Sequence, residues 1–188
     1  MKDKIRTLIK KRLGNKKGSA MIEYTIGLLL LVSLVCFLFD VIIIAQKQYI
    51  VSQQANLLAR ELGVQGGVYS TVPQGFPGSD TNYVRSSEMY NSIQKNLENA
   101  GFSTAKQEWS VKITTYTKTG AVASSSNLGQ SSQIKADYGI PIDVTITFKY
   151  KWTLWGQIFP GLSQITSNTS RHSVSEFKYN YDYWDGEH

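Results

Sequence analysis

Sixteen residues without a charge, YTIGLLLLVSLVCFLF, run from Tyr24 to Phe39. Asp40 interrupts them, and Val41 to Ala45 resume the apolar pattern. As a helix, Tyr24–Ala45 measures roughly 33 Å at ~1.5 Å per residue, enough to cross the hydrocarbon core of a bilayer. Gln46–Leu62 follows without a Gly or Pro. Ile50, Leu57, Leu58 and Leu62 recur there at near-helical spacing, with Gln46, Gln48, Gln53, Gln54 and Asn56 between them. That pattern predicts a half-buried extension of the same helix. Gly63 and then Gly66-Gly67 are the expected stop, giving a helix from Tyr24 to Leu62 about 58 Å long.

The pattern then changes. Gly66, Gly67, Pro73, Gly75, Pro77 and Gly78 mark residues 66–84 as a loop. Ser86 or Ser87 is placed to cap a second helix through Asn99, stopped by Gly101, with Met89, Tyr90, Ile93 and Leu97 as its apolar stripe. Period-two alternation predicts strands over Trp109–Ile113, over Ile142–Leu154 (the clearest signal) and over Phe177–Tyr183. The Ser-rich stretch 119–133 reads as a loop, with a short strand expected near Ile134 because the whole connection is long for a compact domain. The expected fold class is α+β: a long N-terminal membrane-spanning helix, then a small head of antiparallel sheet packed on helix. The expected divisions are a leader at 1–18, the long helix at 19–63 with its span at 24–45, and the head at 64–188.

Charge sharpens this picture. Residues 1–18 hold eight Lys or Arg and one acid, so that block is +7 and the remainder of a +6 chain is −1. Nucleic-acid binders spread basic charge over the folded domain, so no nucleic acid is expected at the head. Of basic residues, only Lys47 and Arg60 lie in the twenty positions after the span. The positive-inside rule then sets the N-terminus in the cytoplasm and the head outside the cell membrane, as a single-pass protein. A cleaved secretory signal needs small residues after the apolar run, and Ile43-Ile44-Ala45-Gln46 does not supply them. The one cysteine, Cys36, allows no disulfide within the chain and no cysteine-based metal site.

The junction before the span is the most specific feature. Lys16-Lys17-Gly18-Ser19-Ala20-Met21-Ile22-Glu23-Tyr24 resembles the cleavage region of type IV prepilins: a basic leader ending in Gly, a cut after it, Glu at the fifth mature position, then a long apolar helix. Gly18 ends the leader, Ser19 opens the mature chain, and Glu23 falls fifth. Glu23-Tyr24 resembles the Tad/Flp branch of that superfamily. The resemblance covers about residues 10–65. Ser19 departs from the Phe that opens most mature type IV pilins, which sets the chain apart from the main type IVa and type II secretion groups. A chain of this length with an added head is similar to the TadE/TadF-type pseudopilins. The resemblance implies cleavage by a membrane prepilin peptidase, packing against other pilin subunits through the N-terminal helix, and assembly by a platform and ATPase. Adhesion, secretion, competence and conjugation are all open as the system served.

Elementary electrostatics gives Glu23 a purpose. A carboxylate at the edge of an apolar span is costly unless solvated or paired. Cleavage after Gly18 creates an ammonium group on Ser19, four residues away, to pair in the same helix or a neighbouring subunit. In a dry bundle, removing one partner of such a pair costs ~3–5 kcal/mol. Asp40 is the other acid of the span. It either reaches the outer interface or contacts a neighbouring subunit. Gly27 and Ser33 permit close helix approach but form no GxxxG motif, and Cys36 reads as a small apolar side chain.

No catalytic motif, metal-ligand spacing or cofactor fingerprint stands out. His172 is isolated in sequence. Asp182, Asp185 and Glu187 read as a solvated end, and Tyr179, Tyr181, Tyr183 and Trp184 as a strand more readily than a binding surface. Asn168-Thr169-Ser170 matches a glycosylation acceptor, a pattern common by chance. No enzyme, metal or cofactor is therefore expected. The alternatives are an uncleaved signal anchor carrying an extracytoplasmic binding or sensor domain, and a membrane-tethered enzyme.

Overall fold

Fifty residues free of proline, Lys16–Gln65, form one helix, α1. The computed structural model describes residues 16–73, 76, 82–159, 161 and 164–176. These fall into two compact units. One draws on the chain up to Ile43 and on the segment beginning at Trp152; the other takes Ile44–Lys151 and the chain from Gln164. The protein is α+β: a long apolar N-terminal helix followed by a small antiparallel sheet.

In the second unit the elements are the C-terminal part of α1, β1 (Gly67–Val68), α2 (Ser86–Asn99), β2 (Trp109–Tyr116), β3 (Val122–Asn127), β4 (Ile134–Lys135), β5 (Pro141–Lys151) and β6 (Gln164–Val174). Among the described residues the strands form a sheet in the order β3-β2-β5-β6 and a small β1-β4 pair, all antiparallel. The register sets Trp109 opposite Phe148, Val111 opposite Ile146 and Ile113 opposite Val144. Those six side chains share one face and are buried. They pack into a single core with Val51, Ala55, Leu58 and Leu62 of α1 and Met89, Ile93 and Leu97 of α2. Burial of apolar area on this scale is the main stabilising term of such a unit.

Several expectations are corrected. Gly63 lies inside α1, which runs on to Gln65. The helix stops one residue later, where Gly66 and Gly67 take φ of 69° and 128°, a region open to glycine at little cost. Gly63 serves close approach instead: a Cβ there would collide with Ser173 Oγ, and its carbonyl accepts the Glu176 N–H at 2.8 Å. Ser86 does not cap α2. It is buried and donates to the Gln130 carbonyl at 2.7 Å. The cap is Arg85, whose N–H donates to the Glu88 carboxylate at 3.0 Å, half of a capping box.

The stretch 119–133 is not all loop, because β3 pairs with β2 along it. The predicted strand near Ile134 is β4. The strong β5 pattern ends at Lys151, so Trp152 and Leu154 leave the sheet. Residues Phe177–Tyr183, Trp184 and the acidic end lie outside the described residues, as do positions 1–15 of the leader. The hydropathy pattern does not predict β6. Its inward positions are Ser167, Thr169, Arg171 and Ser173, beside Phe148, Ile146, Val144 and Ile142 of β5. Arg171 donates to Asn56 Oδ1 at 2.6 Å and to Ser52 Oγ. A polar strand face therefore meets a polar face of α1, and hydropathy alone cannot reveal it.

Candidate functional site

Every residue of α1 from Ala20 to Val32 is exposed, and nearly all are apolar. A helix apolar on all sides belongs in lipid or among other apolar helices. Among the described residues this is the one helix long and apolar enough to cross a membrane. Thr25 returns its hydroxyl to the Met21 carbonyl at 2.8 Å, which satisfies the group without water. Gly27 has open space where a side chain would stand.

Gly18 and Ser19 fall in the first described turn of α1 (Lys16–Gln65). Glu23 and Tyr24 follow one turn on, both exposed, Tyr24 by 74%. The helix thus takes in Gly18 as well, which the sequence reading assigns to the leader. Glu23 and Asp40 are 17 residues apart on the same helix and form no shared site.

Asp40 has a different setting. It is 1% exposed, on a face of α1 where Ser33, Cys36 and Phe37 are partly covered. Its Oδ1 accepts the N–H of Thr153 and Leu154 at 3.1 Å each. Its Oδ2 accepts the N–H of Leu154 at 3.0 Å and of Trp155 at 2.6 Å. These donors open a short helix, α3 (Trp155–Ile158), whose own N-cap, Leu154, offers no side-chain acceptor. Asp40 supplies the cap from another element. A carboxylate suits the N–H groups and positive dipole end of a helix N-terminus. One turn below, Phe37 stacks on Trp152 (5.7 Å, 13° between planes) and meets Trp155 edge-on at 5.3 Å. The Trp155 ring lies 4.8 Å from that of Phe159 in turn. As an acid within an apolar span, Asp40 is expected to meet either water at the outer interface or a neighbouring subunit. In the structure its carboxylate is buried and bonded to backbone N–H groups of its own chain.

A second polar group sits on the solvent side of the sheet. Tyr116 Oη donates to Asp143 Oδ2 at 2.5 Å, and His172 Nδ1 lies 2.5 Å from Asp143 Oδ1. The bond to Asp143 holds the Tyr116 phenol above its ordinary range. Asp143 and His172 are directly opposed in the β5-β6 ladder, so this is a cross-strand contact. The imidazole side chain is 74% exposed. A nucleophilic site needs an enclosed, oriented constellation, and this arrangement does not provide one. No group of His, Cys, Asp and Glu suited to a metal ion occurs among the described residues.

No family model matches the chain, and neither the curated proteins nor the solved structures include a significant match.

Proposed function

We propose that the chain is a pilin-like structural subunit, a minor pilin or pseudopilin of the Tad type, serving a pilus, secretion or conjugation machine. The observation that carries this reading is the Gly18-Ser19-x-x-x-Glu23-Tyr24 junction set at the base of a helix whose next turns are apolar and exposed on every side. Prepilin peptidase cuts between Gly18 and Ser19. The new ammonium group balances Glu23, and the helix, freed of its +7 leader, passes from bilayer to a filament core because both are apolar. The leader faces the cytoplasm of a bacterial cell and the sheet-bearing head lies outside the cell membrane or in a surface pilus. The chain is a substrate and building block. Its partners are lipid, prepilin peptidase, other pilin subunits and, through them, the assembly platform and its ATPase.

One observation favours a second reading, an uncleaved signal anchor holding a binding or sensor domain. Residues 18 and 19 are both within α1, so the Gly18–Ser19 bond lies in helical geometry, and a peptidase must unwind that turn to reach it. Against this, glycine weakens a helix by ~1 kcal/mol.

Glu23→Ala separates the two. The variant inserts into membranes normally under both readings. As a pilin it fails to co-assemble, seen as loss of subunit-to-subunit crosslinking along the N-terminal helix; as an anchor it behaves like the native chain.

A further inference from the structure

We propose that residues 152–159, WTLWGQIF, form a second membrane contact: an aromatic segment lying in the outer leaflet's interface and fixed in depth by Asp40. The inference rests on the reading of α1 as a membrane span.

Depth is the first argument. With Glu23 at the inner edge of the hydrocarbon, Phe37 stands roughly 21 Å and Asp40 roughly 26 Å along the helix, at ~1.5 Å per residue. The hydrocarbon core is ~30 Å thick, so both lie in the outer leaflet, Phe37 roughly 9 Å and Asp40 roughly 4 Å inside its outer boundary. Because Trp152 and Trp155 touch Phe37, and the N–H groups of 153–155 touch Asp40, the segment is at that same level. Trp is the residue that membrane–water interfaces favour.

Polar satisfaction is the second. A lone carboxylate near lipid is costly, and so is an uncapped first turn with free N–H groups. Here each satisfies the other. Asp40 takes the N–H groups of Thr153, Leu154 and Trp155, while those of Gln157 and Phe159 bond within the segment at 3.3 and 2.9 Å. In water both groups could also be hydrated; where lipid replaces water, this pairing is the satisfaction left to them.

The third argument is what the unit leaves uncovered. Leu154 is 39% exposed and Phe159 45%, beside a helix that exposes Leu38, Phe39, Val41 and Ile42 by 40–55%. The segment itself carries no charged residue. Lipid is the occupant that continues from the exposed turns of α1 without a break.

The test uses the full chain in phosphatidylethanolamine–phosphatidylglycerol vesicles with bromine placed either high or low on the acyl chains. Trp155→Phe keeps an aromatic ring, and the emission it removes reports Trp155. The inference expects that emission to be lost mainly to the high-placed bromine and to be shielded from acrylamide in water. Emission reached by acrylamide and untouched by either lipid overturns it. Emission shielded from lipid and acrylamide alike means a protein partner and also overturns it. Alkaline carbonate extraction separates this from failure of the span. A chain that stays in the membrane but shows no lipid quenching refutes the segment's contact alone. A chain that washes off refutes the span, and the inference with it.

Discussion

Replacing Asp40 by alanine strips the acceptor from the backbone N–H groups at the start of α3. The carboxylate takes four hydrogen bonds, from Thr153, Leu154 and Trp155, at 2.6–3.1 Å. Bonds to a charged acceptor are each worth ~1.5–3 kcal/mol, and an orphaned buried donor costs ~1–3 kcal/mol. These terms overlap because the freed segment regains solvent or lipid contacts, so a net loss of about 3 kcal/mol is the reasoned value. At ~1.4 kcal/mol per factor of ten, that is roughly a hundred-fold rise in local opening. Amide hydrogen exchange on the protein reconstituted into lipid vesicles reads it directly at 153–155. Asp40→Ala should lower protection there by about two orders of magnitude. Asp40→Asn keeps a single carbonyl oxygen and should fall between alanine and the native residue. Core amides of Val111 and Ile146 belong to the other unit and should be unchanged. Equal protection of 153–155 in the alanine variant and the native chain would refute the capping role.

Gly63→Ala drives a Cβ into Ser173 Oγ and to 3.1 Å from the Val174 carbonyl. It should destabilise the head by ~1–3 kcal/mol in denaturant unfolding, with part recovered in a Gly63→Ala, Ser173→Ala double variant. Tyr116 is held above its ordinary pKa of 10.0 by its bond to Asp143. A raised folded value means the bond's contribution is whole below the unfolded pKa and is lost as pH rises through the folded one. Stability of the native head should therefore fall above about pH 10 more steeply than that of Tyr116→Phe. Burial raises Tyr83 as well, so the difference between the two curves, followed by tyrosinate absorbance and unfolding, is the quantity to measure.

Legibility in the sequence follows the physics of each element. β5 is visible because Ile142, Val144, Ile146 and Phe148 all enter an apolar core, so burial writes a period of two into the chain. β6 is invisible because its inward side chains are polar, and one of them, Arg171, bonds Ser52 and Asn56 of α1. β3 is an edge strand with almost no buried side chain, so its Ser-rich composition reads as loop. The overrun of β5 to Leu154 has a specific cause: Trp152 and Leu154 keep the alternation but turn to another surface. Glu23 and Tyr24 are legible as a short motif at fixed spacing. Asp40 stands out as an acid in an apolar run, yet its partners lie 113–115 residues away. No local pattern encodes a contact of that separation. The one hint is the uncharged, aromatic WTLWGQIF after a strand that ends in lysines.

The most direct measurement is the N-terminal sequence and intact mass of the protein taken from its native membrane or filament. A chain beginning at Ser19, with the leader gone and Glu23 fifth, is the predicted result. A working protein that still carries Met1–Gly18 contradicts the account.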